Sequence, residues 1–217
     1  MSWRDWLRRP LAALADVDDG RWVVLDVETS GLDPRRDQLL AIAAIAVQVD
    51  WAGKRLSIMP GDSFEVVLRQ TSVGSSRDNI LLHGIGLQRQ REGMPPEEAL
   101  RAFEHFVGHS PLLAFHAPFD QAMIGRHVLE HLGKALPNRW VDIEQLCAVT
   151  HEKVKARALD EWLAHFGIVC APRHQAAADT LAECELLLRI WPKMAGQCHA
   201  WRDVEKLAAH QRWIARA

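Results

Sequence analysis

Residues Trp22 to Pro34 have the sequence WVVLDVETSGLDP, and this stretch predicts a buried strand that ends on two carboxylates and a turn. Its first four residues are apolar, while a glycine and a proline mark the turn. Side chains two residues apart in a strand point to the same face of a sheet, so Asp26 and Glu28 should project together. Two neighbouring carboxylates repel each other unless a cation lies between them. A divalent metal ion held by oxygen ligands is one solution, and a strand end whose acids face water is the other.

Composition limits the classes of protein to which the chain can belong. Its 217 residues predict one domain with room for terminal helical additions, and 48% apolar content suits a globular protein with a sizeable core. No apolar run approaches the roughly 20 residues of a membrane span, and the charged N-terminal residues lack a signal-peptide pattern. The four cysteines form no C-x-x-C pair, so we expect free thiols in a reducing cytoplasm. The net charge of −2 argues against a passive nucleic-acid binder and leaves a nucleic-acid enzyme open.

Apolar periodicity and turn residues predict an α/β fold with a mixed sheet covered by helices. After the first strand, further strands are predicted at residues 39–49, 55–59, 64–68, 111–115 and 140–141, the first three forming an antiparallel meander. Helices are predicted at residues 3–15, 95–108, 120–132, from 142 onward, and at 159–166 and 201–215, and residues 174–191 predict a long helix with its preceding loop. Residues 74–91 predict a loop with a short helix. Gly167 should end one helix and Pro192 another.

Three residues elsewhere in the chain stand where a two-metal site would need them. Asp120 follows a predicted strand at the start of a helix, the usual place for ligands in an open α/β sheet. Asp179 lies about one turn into a helix that opens with three alanines, whose small side chains would let it approach the sheet. His174 lies five residues earlier, off the helical face of Asp179, and we place it in the preceding loop, where it could take a proton from water. Taken singly, Asp120 could be an ordinary helix cap, Asp179 a solvated helix acid and His174 a surface loop histidine. Together, the order D-x-E, D, H-x4-D favours one site.

These motifs resemble those of the DEDD superfamily of 3'-to-5' exonucleases, in its histidine-type branch, which includes the epsilon proofreading subunits of bacterial DNA polymerase III. Residues 25–32, LDVETSGL, match the first motif of the family, D-x-E-T-[TS]-G. Residues 114–120, AFHAPFD, resemble the second motif, A-H-N-A-x-F-D, but Phe115 and His116 replace the usual histidine and asparagine. Residues 174–180, HQAAADT, resemble H-x-A-x-x-D-A, and residues 83–86, HGIG, resemble H-G-I-[TS]. The resemblance spans about residues 22–188.

The resemblance implies a ribonuclease H-like fold, a mixed β-sheet flanked by helices, and two Mg²⁺ or Mn²⁺ ions. It implies that Asp26, Glu28 and Asp179 bind metal directly, with Asp26 as a bridge between the ions. Asp120 would serve the second ion, and His174 would be the general base. The exonuclease domain would occupy residues 21–195, between an N-terminal helical extension at 1–20 and a C-terminal helix at 196–217. The implied reaction hydrolyses the 3' end of single-stranded DNA and releases nucleoside 5'-monophosphates, as in polymerase proofreading.

The reacting 3' end must leave a duplex, and unstacked bases are commonly held by aromatic and apolar side chains. The candidate substrate contacts are Thr29, Leu32, His83 and Phe119. The expected partner is the 3' end of a single-stranded nucleic acid, with DNA favoured over RNA. A DNA polymerase subunit is a further candidate partner, and no membrane is expected.

Three alternative functions compete with a DNA exonuclease. An exonuclease of the same fold that trims RNA 3' ends would share the first motif and the metal site. A catalytically silent module bound to a polymerase should have lost an acid, whereas all four acids and the histidine are present. A Rossmann-type cofactor binder needs a glycine-rich turn after the first strand, which residues 27–31 do not supply.

Overall fold

The computed structural model describes residues 19–70, 84–170 and 175–213, with side chains up to residue 211. The predicted helix at residues 3–15 lies outside these ranges. The strands are β1 (Arg21–Thr29), β2 (Leu39–Asp50), β3 (Arg55–Val67), β4 (Leu112–Ala114) and β5 (Trp140–Asp142). They form one sheet in the order β3-β2-β1-β4-β5, in which β2 is antiparallel to β1 and β3, while β4 is parallel to β1 and β5.

Helices cover both faces of this sheet, which confirms the predicted α/β fold with a mixed sheet. They are α1 (Leu87–Glu92), α2 (Pro96–Val107), α3 (Pro118–Leu132), α4 (Ile143–Thr150), α5 (Leu159–Phe166), α6 (Ala176–Met194) and α7 (Trp201–Ala209), followed by a 3₁₀ turn at His210–Trp213. Among the helices described, none has the length and apolar content needed to cross a membrane. The four cysteines lie in the described ranges as free thiols, as predicted.

The period of two along β1 separates two hydrophobic cores. Val23, Leu25 and Val27 pack with side chains of α2 and α3 on one face of the sheet. Trp22 and Val24 pack with side chains of α4, α6 and α7 on the other face. Because alternate side chains of a strand share a face, Asp26 and Glu28 extend the row of Trp22 and Val24 toward the end of β1. The strand therefore delivers both carboxylates to the face covered by α6.

A cluster of tryptophans anchors the other end of that row. Trp22 is fully buried, and its ring centroid lies 5.7 Å from that of Trp51, 5.9 Å from that of Trp191 and 5.0 Å from that of Trp201. Such tilted and edge-to-face pairs add about 0.5–1.5 kcal/mol each beyond the area they bury. The cluster joins β1 to α6 and α7, so part of the unusually high tryptophan content holds the helix layer on the sheet.

The prediction of separate strands at residues 55–59 and 64–68 is wrong, because β3 is continuous from Arg55 to Val67. Met59 pairs with Ala46 and Ser63 pairs with Ile45, so residues 60–62 have no partner on β2 and form a bulge. β3 is at the edge of the sheet, where a proline and extra residues are tolerated. The Pro60-Gly61 pair thus bends an edge strand without ending it.

Two predicted helix ends are also wrong. α6 continues through Pro192 to Met194, although a proline forfeits one hydrogen bond of the helix. Burial of Trp191 and Met194 holds the last turn, and the Ala195 N–H donates to Trp191 O at 2.8 Å. The helix predicted over residues 201–215 ends at Ala209 and gives way to the 3₁₀ turn, while residues 214–217 lie outside the described ranges.

Candidate active site

Asp26 and Glu28 lie at the carboxyl end of β1, just before a tight loop of residues 30–38. The Thr29 hydroxyl donates to Gly31 O at 2.7 Å, and the Gln38 N–H donates to the Ser30 hydroxyl at 2.8 Å. A Cβ at position 31 would displace the Asp37 carboxylate from its present place against the loop. The Thr29 hydroxyl therefore stabilises the turn, and the prediction that Thr29 contacts substrate stays a prediction.

Asp120 is delivered by a strained turn between β4 and α3. His116 in this turn has φ 61°, a left-handed conformation in which histidine and asparagine are enriched among residues other than glycine. This explains how His116 can stand where the related motif has asparagine. Pro118 occupies the first turn of α3, where its fixed φ suits a helix start. Asp120 follows in the same turn and is 4% exposed.

Asp179 lies in the first turn of α6, and small residues bring this helix close to the sheet. The Thr180 hydroxyl donates to Ala176 O at 2.6 Å, and its oxygen lies 3.3 Å from Ala43 O of β2, on a strand that carries several alanines. Asp179 is 6% exposed, and the Cys170 thiol donates to its Oδ1 at 3.4 Å. The close approach expected from the alanines at 176–178 is therefore present.

One cavity of about 450 Å³ brings these elements together. All four predicted acids line it: Asp26, Glu28, Asp120 and Asp179. Leu32, 88% exposed, and Phe119, half-buried, also line it, and their contact with substrate stays a prediction. The other lining residues are Val27, Phe115, His116, Ala158, Leu159 and Glu183. His174 and His83, the remaining predicted site residues, lie outside the described ranges.

The electrostatics of the cavity are those of a crowded group of acids. Burial, and then the charge of Asp26, raise the pKa of Asp120 well above its usual range, although the N–H groups of Asp120 and Val27 offset part of this rise. Burial and the charges of Asp26 and Asp120 likewise raise the pKa of Glu183 well above its usual range. Protons or another cation must therefore balance these charges.

The donor set fits a divalent metal ion, since clustered carboxylate oxygens are the ligands that Mg²⁺ and Mn²⁺ prefer. Within the described ranges, no three His, Cys, Asp or Glu side chains converge closely enough to form a ready-made site. Binding would therefore require the carboxylates around the cavity to close on the ion.

Sequence reasoning missed Glu183, which lines the same cavity and is 2% exposed. Glu183 lies four residues after Asp179, so both project from one face of α6. That i,i+4 spacing was the signal available in the sequence. The family motif quoted above ends at residue 180 and directs no attention to residue 183.

Sequence reasoning also missed Arg126 of α3, which holds the loop that carries Leu32. Its Nε donates to Pro34 O at 2.8 Å, and its Nη2 donates to Asp37 O. A third nitrogen, Nη1, pairs with Glu130 at 3.3 Å. The two bonds to Pro34 and Asp37 span about 90 residues of chain, so no local pattern in the sequence could have indicated them.

The sequence model of the exonuclease family matches residues 23–187, about three quarters of the chain. The chain belongs to this exonuclease family. The matched range includes all four acids of the cavity, Glu183 and His174.

Named relatives of this exonuclease-family chain are bacterial DNA polymerase proteins. A DNA polymerase III subunit epsilon-like protein of Rhodobacter capsulatus is 30% identical over 191 residues, 84% of this chain and 26% of that protein. A PolC-type DNA polymerase III of Clostridium perfringens is 27% identical over 177 residues, 81% of this chain and 12% of that protein. The chain thus spans about a quarter of the length of the first of these relatives and about an eighth of the second.

Solved structures of E. coli exonuclease I have the same fold. In the zinc-ion-bound form of its complex with single-stranded DNA, the TM-score is 0.67 and the sequence identity is 17%, covering 88% of this chain and 45% of that one. This likeness confirms the ribonuclease H-like architecture, in which a mixed five-stranded sheet is flanked by helices.

Proposed function

We propose that this protein is a divalent-metal-dependent 3'-to-5' exonuclease that acts on single-stranded DNA and releases nucleoside 5'-monophosphates. The convergence of Asp26, Glu28, Asp120 and Asp179 on one cavity carries the proposal. Three segments that are distant in sequence supply these acids, so their meeting is a property of the fold. Membership of the exonuclease family supports the reaction. The single-stranded DNA bound by E. coli exonuclease I supports the substrate.

Two Mg²⁺ or Mn²⁺ ions are the proposed cofactors. Asp26, Glu28 and Asp179 would hold them directly, with Asp26 shared between both ions, and Asp120 would serve the second ion. When bound, such ions stabilise the negative charge on the attacking and leaving oxygens of a phosphoryl transfer. Metal binding would displace the protons that the raised pKa values leave on the buried carboxyls.

The reaction is an in-line attack of water on the phosphorus of the last phosphodiester bond. The water oxygen forms the new bond to phosphorus, and the bond to the 3' oxygen of the shortened strand breaks. His174 would take the proton from the water, a task for which an ordinary histidine pKa of about 6.5 is well matched near neutral pH. The departing 3' oxygen then gains a proton, which yields a 3' hydroxyl and a nucleoside 5'-monophosphate.

Leu32 and Phe119 would hold the terminal base apart from its neighbour. Both line the cavity, and Leu32 is 88% exposed, so an apolar side chain already faces solvent where the strand would enter. Bases that leave a stack are commonly held by such side chains. Thr29 and His83, the latter outside the described ranges, are the other proposed substrate contacts.

Digestion of labelled oligonucleotides tests the proposal. Single-stranded DNA, duplex DNA and RNA of one sequence, each labelled at the 5' end, are incubated with Mg²⁺, Mn²⁺ or a chelator. The expected result is a ladder of 5'-labelled DNA fragments that shorten from the 3' end, no products with chelator, and slower attack on duplex and RNA. The Asp26→Asn variant is the matched control for contaminating nucleases. Release of the 5' label as a mononucleotide, chelator-resistant cleavage or equal cleavage by Asp26→Asn would contradict the proposal, and a preference for RNA would contradict its DNA part.

The names of the relatives support a working partnership with a DNA polymerase, and free thiols support a cytoplasmic location. We also retain residues 21–195 as the proposed exonuclease domain, between an extension at 1–20 and a C-terminal helix at 196–217. Co-purification of the tagged chain with polymerase subunits would test the partnership, and recovery of the chain alone would argue against it.

A further inference from the structure

Glu183 is an acid of the cavity to which no motif or proposed catalytic step assigns a role. It lies one helical turn beyond Asp179 on α6, and its side chain is 2% exposed. A carboxyl group buried this deeply needs specific partners to offset the loss of water. The identity of that partner indicates what Glu183 does.

The Phe115 N–H donates to Oε2 of Glu183 at 3.2 Å. Phe115 is the first residue after β4, and its backbone opens the turn that leads into α3 and Asp120. This hydrogen bond connects residues 68 positions apart in the sequence. It ties the helix that carries Asp179 to the turn that positions Asp120.

The next residue of the turn is held in the same manner. The His116 N–H donates to Oδ1 of Asp142 at 3.0 Å, and Asp142 caps α4 by accepting the Glu144 N–H at 2.9 Å. Asp142 therefore holds the turn against β5 and α4, whereas Glu183 holds it against α6. The left-handed backbone of His116 needs such support, because a non-glycine residue in this conformation is held by its surroundings.

We propose that Glu183 is a positioning residue, whose carboxyl oxygen fixes Asp120 relative to Asp179 by accepting the Phe115 N–H. This inference rests on the proposed exonuclease function, in which both aspartates serve the metal ions. The role requires a hydrogen-bond acceptor of the right length at position 183 and does not require a negative charge. A glutamine supplies the same acceptor, while methionine fills a similar volume without it.

The test compares Glu183→Gln, Glu183→Met and Glu185→Met. Glu185 lies two residues along the same helix, is partly buried and does not line the cavity, so it controls for loss of a glutamate from α6. For each protein, kcat and KM on single-stranded DNA are measured at saturating Mn²⁺. Mn²⁺ affinity without DNA is measured from the electron paramagnetic resonance signal of the free ion.

Glu183→Met should lower kcat on the order of 10²-fold, the cost of a displacement of about 1 Å at a catalytic site, and should weaken Mn²⁺ binding. Glu183→Gln should restore both quantities to within a few-fold of wild type, and Glu185→Met should change neither. A Glu183→Gln variant as impaired as Glu183→Met would overturn the inference, because the charge would then be what matters. Wild-type behaviour of Glu183→Met would overturn it as well.

Hydrogen exchange at the Phe115 amide keeps the test decisive if Glu183→Met does not fold. Wild type and Glu183→Gln should both protect this amide, and rapid exchange in the folded wild type would refute the hydrogen bond. If wild type hydrolyses no DNA, the proposed function fails by itself, whereas the Mn²⁺ titration and the amide exchange still decide the role of Glu183.

Discussion

Replacing Asp26 by asparagine should stabilise the metal-free protein while it removes the proposed activity. After burial itself, the charge of Asp26 contributes most to the raised pKa values of Asp120 and Glu183. In Asp26→Asn, an amide of nearly the same shape replaces that charge. The pKa values of both neighbours should then fall toward their ordinary range, and less free energy should be spent on holding like charges together.

The change in the free energy of unfolding with pH that Asp120 and Glu183 cause has a definite sign and an upper limit. Below about pH 4, Asp120 and Glu183 are protonated in both the folded and the unfolded chain. As pH rises above that value, the unfolded chain ionises while folded Asp120 and Glu183 keep their protons, so the free energy of unfolding falls. The loss is about 1.4 kcal/mol per pH unit for each retained proton, or at most about 2.7 kcal/mol per pH unit for the two groups. It continues until the pH reaches the raised pKa of the folded state.

Urea unfolding in a chelator at pH 5, 6, 7 and 8, followed by tryptophan fluorescence, measures this slope. The free energy of unfolding of Asp26→Asn should increase relative to that of wild type as pH rises, and Asp26→Asn should be the more stable protein at pH 7. Asp33→Asn, which removes an exposed charge, should keep the wild-type slope. Saturating Mn²⁺ should stabilise wild type by about 2.7 kcal/mol at a hundred times its dissociation constant, and Asp26→Asn by much less.

A slope that Asp26→Asn leaves unchanged would refute this reasoning, because the charge at the end of β1 would then not act on its neighbours. The comparison between the two proteins is needed, since the lowered pKa values of His127 and His151 make stability rise with pH in both.

Three further variants test other parts of the site. His174→Ala should lower the rate of hydrolysis by about two to four powers of ten, the usual contribution of a general base, and should flatten the pH–rate profile near pH 6.5; an unchanged profile would exclude this role. Leu32→Ala should raise KM about fivefold through loss of about 1 kcal/mol of apolar contact. Leu129→Ala shortens an exposed leucine that does not line the cavity, and it should leave KM unchanged. Arg126→Met should lower the free energy of unfolding by about 1–3 kcal/mol, since it removes charged hydrogen bonds to two carbonyl groups. The same variant should raise KM by a larger factor than it lowers kcat. Equal urea midpoints for this variant and wild type would contradict the prediction.

Local patterns in the sequence were sufficient to predict the framework of the site. The alternation along β1 is a property of residues 22–28 alone, so the direction of Asp26 and Glu28 follows from the pleat of a strand. Asp120 and Asp179 each stand in the first turn of a helix, where proline, alanine and an acid give a recognisable start. The family resemblance then indicated which of these acids belong together.

The predictions that failed depend on tertiary contacts. Pro60 would end a central strand, but β3 is at the edge of the sheet, and only the strand order reveals this. Pro192 would end an exposed helix, but burial of Trp191 and Met194 carries α6 past it. In both cases the tertiary structure overrides the local tendency of proline to end a strand or a helix.

The features that the sequence missed are hydrogen bonds between distant segments. Glu183 meets Phe115 across 68 residues, and Arg126 meets Pro34 across 92. A glutamate at residue 183 could equally be a solvated helix residue until the fold places it beneath the turn before Asp120. Its i,i+4 relation to Asp179 is a weak signal by itself, because two acids with that spacing share a face of any helix, including a face exposed to solvent.

Anomalous diffraction from crystals soaked in Mn²⁺ would show whether the four acids of the cavity hold metal, because it locates the ions without assuming any activity. The account predicts Mn²⁺ peaks inside the cavity, within about 2.5 Å of carboxylate oxygens of Asp26 and Asp179, and loss of those peaks in Asp26→Asn. An empty cavity at saturating Mn²⁺, or peaks bound only to surface residues elsewhere, would contradict it.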